Sequence, residues 1–398
     1  MSVGGNKMKR ITVVDSLRGF SLIGILLANL LIFQFGNYGA SYPDFYHLDS
    51  FSKILLFIDN VFIHGSFMPI FALLFGFGLV KMSDSLVKRA LPVKRALIRR
   101  GIMLFIFGIL HATYLFSGDI LYLYGTITLV LFWLTRRSVR TMIVSIFISI
   151  ILCLSILFIN QETVAYLSDM PISNTLTDAQ KDYLTQEKIV NSTGSISDRN
   201  DFFTYYEDPF LNMDDQIFSL ITIMILFYIP FFIIGMIFAR NHFFETTKTK
   251  AKKILIYLIP IFLIVKALFV IYPNNETISL LFLPAVYGLS FSYIALFYHL
   301  YHRYPAARLF KGFEAVGKLS LTNYIGQSIF HGFIYYSHGF ARFGDSNFVL
   351  SIIIALLFFT FQIVASSIYL RYFKYGPLEY IIRVITYWSF NPKKKLQN

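Results

Sequence analysis

The stretch VDSLRGFSLIGILLANL, residues 14–30, decides the fold. It is apolar over most of its length, yet it carries an acid (Asp15), a base (Arg18) and an amide (Asn29). An apolar run of this length predicts a helix that crosses a bilayer, where unpaired polar side chains are costly. Asp15 and Arg18 share one helix face and are expected to pair. Asn29 lies about 16 Å deeper on nearly the same face.

The whole chain has the composition of a membrane protein. Of its 398 residues, 56% are hydrophobic and only 14% are charged, whereas soluble domains carry roughly 25% charged residues. This leaves too little polar surface to cover a soluble helical protein. We predict a single all-α, integral-membrane domain that crosses the bilayer about ten times. The predicted spans are 14–35, 54–80, 101–117, 119–135, 141–160, 216–239, 254–272, 279–300, 320–337 and 348–370.

The basic residues orient these spans. With the N-terminus inside, the inner segments hold 28 Lys and Arg and the outer segments hold five. Such an asymmetry follows the positive-inside rule and predicts cytoplasmic N- and C-termini in a multi-pass plasma-membrane protein. It also accounts for the net charge of +13 without a nucleic-acid partner, because no patterned basic face accompanies it. Lys7, Lys9 and Arg10 precede an apolar run too long for a cleavable signal peptide.

Residues 161–215 interrupt the hydrophobic pattern. This segment contains 11 of the 22 acidic residues and is predicted to be an extracellular loop between spans five and six. Its acids would attract a cation, or they are simply a solvated surface. No calcium-loop spacing occurs in it, and the lone Cys153 excludes a cysteine-rich metal site. We therefore predict no metal.

The second polar motif is RRGIMLFIFGILHATYLFSGDILYLYG, residues 99–125. Arg99 and Arg100 lie at the cytoplasmic mouth, and His111 is about 17 Å deeper. Asp119 follows His111 across a short turn, so the carboxylate is expected within reach of the imidazole, an arrangement that supports a general base. Two other interpretations remain open: Asp119 as a helix N-cap and His111 as a packing residue.

Further polar residues lie within the other predicted spans. His64 begins HGSFMPIFALLFGFG, residues 64–78, whose glycines and proline indicate a broken helix beside a cavity. Lys266 is close enough to the outer end of its span to snorkel to the interface. A polar stripe at helix spacing either lines the same cavity or joins two helices. Its members are Ser320, Asn323, Gln327 and His331.

These motifs resemble the YeiB-like family of bacterial membrane proteins. The resemblance rests on five segments in order: DSLRGFSLIGILLANL, FMPIFALLFGFG, RRGIMLFIFGILHATYLFSGDILYLYG, GKLSLTNYIGQS and YGPLEYIIR. It covers residues 15–385, with the acidic loop least characteristic. The family in turn resembles, distantly, the transmembrane acyltransferase superfamily, which includes envelope sugar O-acetylases and heparan-glucosaminide N-acetyltransferase.

That wider resemblance implies transfer of an acyl group from cytoplasmic acyl-CoA to a sugar or lipid-linked acceptor across the membrane. Arg18, Arg99 and Arg100 would then bind the CoA phosphates. His111, oriented by Asp119, would be the base, and Asn29 would stabilise the oxyanion. The O-acetylases have a histidine at the position of Asn29, and His47 or His64 is an alternative base here. His64, Asn323, Gln327 and His331 would line the substrate cavity.

Two other classes fit the same residues. A small-molecule transporter or exporter would use the polar residues to line its pathway, and a membrane scaffold would use the acidic loop as a partner site. A transporter would move its substrate into liposomes without CoA, whereas an acyltransferase would bind CoA. The sequence is also compatible with a homodimer.

Overall fold

The computed structural model describes residues 11–159, 176–210, 213–245, 250–273 and 275–390, and these residues form helices joined by turns, without a strand. The all-α prediction is confirmed. The α-helices are α1 (Thr12–Gly39), α2 (Ser50–Phe62), α3 (Met68–Lys88), α4 (Val93–Tyr114), α5 (Leu121–Leu131), α6 (Val139–Ile159), α7 (Asp178–Ser192), α8 (Ile196–Tyr205), α9 (Met213–Arg240), α10 (Lys250–Tyr257), α11 (Ile259–Ile271), α12 (Glu276–Arg303), α13 (Arg308–Lys318), α14 (Ser320–Tyr335), α15 (Phe348–Tyr372) and α16 (Pro377–Tyr387). A 3₁₀ turn, Phe132–Arg136, extends α5.

Within the described residues, eight helical segments are long and apolar enough to cross a bilayer. They confirm a multi-pass membrane protein, and most match the predicted spans. The predicted span 54–80 is wrong as a single helix, because the chain turns between α2 and α3. The predicted spans 119–135 and 320–337 correspond to shorter helices, α5 with its 3₁₀ turn and α14. The N- and C-termini, which are predicted to be cytoplasmic, lie outside the described residues.

Helix α1 is the central helix of the bundle, and small residues let a neighbour approach it closely. A Cβ atom built on Gly19 would lie 1.9 Å from the carbonyl oxygen of Phe313, and one on Gly317 would lie 1.8 Å from that of Asp15. Helix α13 therefore crosses the start of α1 in backbone contact. The hydroxyl of Ser16 donates to the carbonyl of Phe310 (2.9 Å) at the same crossing. These contacts bring the α13–α14 segment beside Arg18.

The C-terminal end of α1 packs against α7 and α8, which belong to the predicted acidic loop. Of that loop, residues 161–175 and 211–212 lie outside the described part. Glu187 on α7 is 2% exposed, and its carboxylate packs against Gly36, where α1 bends with φ +76°. Burial is the main cause that raises the pKa of Glu187 to about 8; Asp208 adds to the rise and Arg199 opposes it. Glu187 is thus buried as a neutral acid.

This burial predicts a pH-dependent stability. Between about pH 4.5 and 8, folded Glu187 holds its proton while the unfolded chain releases it, so the free energy of unfolding should fall as pH rises. Glu187→Gln should flatten this slope in detergent melting curves between pH 5 and 8. Glu207→Gln, at an exposed site in the same segment, should keep it. Equal slopes in both variants would contradict the assignment.

Candidate functional site

A cavity of about 510 Å³ lies where α1 begins, α3 ends and α4 and α14 begin, with α16 closing one side. We call this end of the bundle the basic end, because five cationic side chains line the cavity there: Arg18, Lys81, Arg100, Lys318 and Arg383. Deeper in, the lining is apolar and aromatic. It includes Phe71, Phe75, Leu79, Leu104, Ile120, Leu121 and Tyr324. The cavity therefore joins a cationic region to an apolar, aromatic one.

Three of the five cations already have carboxylate partners. Arg18 pairs with Asp15 (3.2 Å), which confirms the predicted pair. Lys81 pairs with Glu245 (2.7 Å) and Lys318 with Glu314 (2.5 Å).

Arg100 and Arg383 are different. In the part of the chain that the structure describes, no carboxylate lies within ion-pair distance of either. The Arg100 guanidinium lies over the ring of Phe75 (5.3 Å), and that of Arg383 lies between the rings of Tyr375 (4.6 Å) and Tyr387 (4.7 Å). Aromatic faces hold a guanidinium without neutralising its charge. These two arginines are thus the cations best placed to receive an anion.

Helix α16 is fixed over the cavity by Glu379. Its carboxylate accepts hydrogen bonds from the backbone N–H groups of Leu321 (2.7 Å) and Thr322 (3.1 Å) and from the hydroxyl of Thr322 (2.5 Å). These are free donors at the N-terminus of α14, where a carboxylate is favoured by both hydrogen bonding and the helix dipole. The carboxylate of Glu379, the acid in the cavity lining, is therefore bound to the N-terminus of α14 and forms no ion pair with Arg100 or Arg383.

His111 and Asp119 form a buried pair at the deep end of α4. Nδ1–H of His111 donates to Oδ1 of Asp119 (2.7 Å), and both side chains are almost fully buried. Oδ2 accepts the backbone N–H groups of Leu121 (2.8 Å) and Tyr122 (3.2 Å). The predicted proximity is confirmed. Asp119 also binds the first two backbone N–H groups of α5, close to the predicted capping role, although the N-cap residue itself is Ile120. Nε2 of His111 is buried without a hydrogen-bond partner among the described residues, as a general base requires.

The cavity ends next to this pair without reaching it. Ile120, Leu121 and Tyr324 line the cavity and also surround Asp119. The hydroxyl of Tyr324 donates to Oδ1 of Asp119 (3.2 Å), and its ring lies 5.2 Å from that of His111. The roles predicted for His111 and Asp119 stay predictions.

The remaining predicted cofactor-site residues lie at different places. Arg100 and Arg18 line the cavity, but Arg99 does not; its guanidinium lies 5.7 Å from the ring of Trp388. Asn29 is buried on α1 and is absent from the described lining. The structure therefore brings two of the three predicted arginines together and separates the amide from them.

The residues predicted to line a substrate cavity make other contacts. Asn323 donates to the hydroxyl of Ser366 (3.0 Å), and Gln327 donates to the side-chain carbonyl of Gln362 (3.0 Å). This part of the stripe joins α14 to α15, the second interpretation left open above. His331 is fully buried and donates from Nδ1 to the carbonyl of Gln327 (2.8 Å).

His64 lies in the turn between α2 and α3. Its backbone carbonyl, with the hydroxyl of Ser66, accepts hydrogen bonds from the ammonium of Lys266 (2.7 and 3.0 Å). Lys266 is 0% exposed, so the prediction that it snorkels to the interface is wrong. The reason is that the turn offers acceptors inside the bundle.

Sequence reasoning missed Arg383, Glu379 and Tyr324 as site residues. The signal was present, because Tyr324 lies in GKLSLTNYIGQS and the other two lie in YGPLEYIIR, both quoted for the resemblance. Neither segment stands out by polarity alone. These residues become part of the site only through contacts between helices that are far apart in the chain.

The fold and cavity define a class: a multi-pass, all-α membrane protein with a cationic cavity at one end and a buried His–Asp pair behind it. Residues 238–389 match a family described as "Protein of unknown function (DUF418)". The chain is 27% identical to "Uncharacterized protein YxaH" of Bacillus subtilis (strain 168), over 97% of this chain and 96% of that protein. It is 25% identical to "Uncharacterized protein YeiB" of Escherichia coli (strain K12), over 97% and 98%.

These matches confirm the resemblance to YeiB-like membrane proteins, and they extend over nearly the whole chain. A further relative is "Uncharacterized 39.9 kDa protein in amylase 3'region" of Bacillus acidopullulyticus, 24% identical over 95% of this chain and 94% of its own. No solved structure matches the chain.

Proposed function

We propose that this protein is a plasma-membrane acyltransferase that takes its acyl group from cytoplasmic acyl-CoA. The observation that carries the proposal is the cavity at the basic end. Its lining includes Arg100 and Arg383, which have no carboxylate partner among the described residues, and the His111–Asp119 pair lies beyond its inner wall. Phosphates of CoA need cations with free donors. The thin pantetheine arm suits the apolar part of the cavity.

The spacing of the two regions suits this substrate. Arg100 and His111 are eleven residues apart on α4, about 16 Å along the helix axis. A pantetheine arm has a comparable reach. With the phosphates at Arg100 and Arg383, the thioester would arrive close to the inner wall formed by Tyr324 and Ile120.

His111 would act as the general base. Asp119 holds the proton on Nδ1 and leaves the lone pair of Nε2 free to take a proton from the acceptor hydroxyl or amine. The acceptor oxygen or nitrogen then bonds to the acyl carbon, and the carbon–sulfur bond breaks. His111 returns its proton to the departing CoA thiolate. A sugar or lipid-linked acceptor would enter from the far side of the membrane.

Calorimetric titration of the detergent-purified protein tests the donor site. CoA should bind saturably, and pantetheine, which has the arm but no phosphates, should bind at least about tenfold more weakly, since a charge-assisted hydrogen bond contributes about 1.5–3 kcal/mol. If CoA does not bind, or if pantetheine binds equally well, the proposal is wrong.

A small-molecule carrier is the second candidate, favoured by the turn between α2 and α3. There the carbonyls of His64 and Ser66 are bound by Lys266 and Ser290, and interrupted helices at membrane depth are typical of transporters. Movement of a substrate into liposomes without CoA would favour this function over acyl transfer.

A further inference from the structure

His111 lies outside the cavity, next to an inner wall that includes the aromatic side chain of Tyr324. Tyr324 is 3% exposed, lines the inner end of the cavity and lies against the imidazole. His111 itself does not line the cavity, and its side chain is about 1% exposed. A substrate in the cavity therefore cannot touch Nε2 unless this wall moves.

We propose that Tyr324 is a gate: its ring closes the inner end of the cavity, and its hydroxyl ties the closed position to Asp119. Swinging the ring into the cavity joins the cavity to His111. The chemical meaning of this gate rests on the proposed acyl transfer, but the gate itself is a property of the fold and is testable without turnover.

The other hydrogen bonds of Asp119 hold its carboxylate in place when Tyr324 moves. Asp119 keeps its bonds to His111, Leu121 N and Tyr122 N when Tyr324 leaves. The Tyr324 hydroxyl gives up its 3.2 Å bond to Asp119 and its hydrogen bond with the Ile120 backbone. The carboxylate therefore stays in place and continues to orient His111. Contacts of a bound substrate with the cavity wall can offset the loss of these bonds.

The cavity provides the room that the ring needs. The space of about 510 Å³ adjoins the Tyr324 ring directly, whereas Phe116, whose ring lies 6.3 Å from that of His111, is stacked on Phe33 (4.3 Å) in the packed core. Movement toward the cavity displaces only its contents. Movement the other way would disturb packed core.

Accessibility of His111 to diethylpyrocarbonate, which acylates an unprotonated imidazole nitrogen, tests the gate by peptide mass spectrometry. We expect His111 to be protected in the wild type and modified at least about tenfold faster in Tyr324→Ala. Fully buried His331 should stay unmodified in both proteins, and exposed His242 should be modified in both. These two histidines report folding and reagent activity in the same sample.

Three variants complete the design. Tyr324→Phe keeps the ring and should leave His111 protected to within a fewfold of wild type. Tyr375→Ala removes another cavity tyrosine, one near Arg383, and should not expose His111. Tyr324→Leu replaces the alanine variant if that protein fails to fold, and should expose His111 because it also lacks the ring.

The outcomes separate the gate from the proposed function. If His111 stays protected when the ring is removed, or is already modified in the wild type or in Tyr375→Ala, the gate is wrong. CoA added to Tyr324→Ala should slow His111 modification. If the ring variant exposes His111 but the calorimetric titration detects no CoA binding, the gate stands and acyl transfer from CoA fails.

Discussion

Replacement of His111 by alanine is expected to lower thioester turnover by about 10²–10⁴-fold, the usual contribution of a general base. The affinity for CoA should stay within about twofold, because the imidazole does not line the cavity. Release of free thiol from acetyl-CoA by protein in lipid nanodiscs, with water as the stand-in acceptor, measures the rate. Calorimetry on the same preparation measures the affinity.

His331→Ala is the matched control, since it removes another fully buried histidine of the bundle. In the part of the chain that the structure describes, His331 bonds a backbone carbonyl and no carboxylate. It should retain turnover to within about threefold. Asp119→Asn should lose most of the turnover, because an amide does not hold His111 in the same tautomer. If His331→Ala abolished turnover and His111→Ala did not, the base would be misassigned.

Replacement of Arg100 by alanine is expected to weaken CoA binding by about ten- to a hundredfold, because one arginine lost from a phosphate contact costs about 1.5–3 kcal/mol. Arg100 has no carboxylate partner within ion-pair distance among the described residues, so its loss leaves no acid unpaired. Calorimetric titration with CoA measures the effect. Added salt should weaken wild-type binding more than variant binding.

Arg140→Ala is the matched control for charge, since Arg140 is exposed on α6 and outside the cavity lining. It should bind CoA as the wild type does. Pantetheine should bind Arg100→Ala and wild type equally, because it carries no phosphate. An Arg100→Ala variant with unchanged CoA affinity would remove the arginine from the site.

The His111–Asp119 pair could be predicted because its geometry is local. Helix α4 ends at Tyr114, and Asp119 binds the first backbone N–H group of the next helix after a turn of a few residues. A turn this short leaves the chain few ways to hold the two side chains apart. The Asp15–Arg18 pair was predictable for the same reason, since helix periodicity alone places them together.

The cavity could not be predicted from local pattern. Arg383 and Tyr324 reach it because α13 crosses α1 at two glycines and Glu379 fixes α16 to the start of α14. The first contact joins segments 294 residues apart, and the second joins residues 58 apart on separate helices. When the neighbouring helices are unknown, a tyrosine in an apolar span is interpreted as a residue that packs in the core.

For the polar stripe of α14, the sequence pattern predicted the polar face but not what this face contacts. Its spacing correctly indicated one polar face, but Asn323 and Gln327 bond to Ser366 and Gln362 on α15. Amides can line a pathway or join two helices equally well. The choice depends on whether the facing helix supplies matching donors and acceptors, as α15 does.

A determined structure with a non-transferable thioether analogue of acetyl-CoA tests the central claim most directly. Phosphates in contact with Arg100 and Arg383, with the sulfur at the wall formed by Tyr324 and Ile120, is the result expected here. A cavity that takes up no nucleotide, or that holds a bilayer lipid while excess analogue is present, would contradict it.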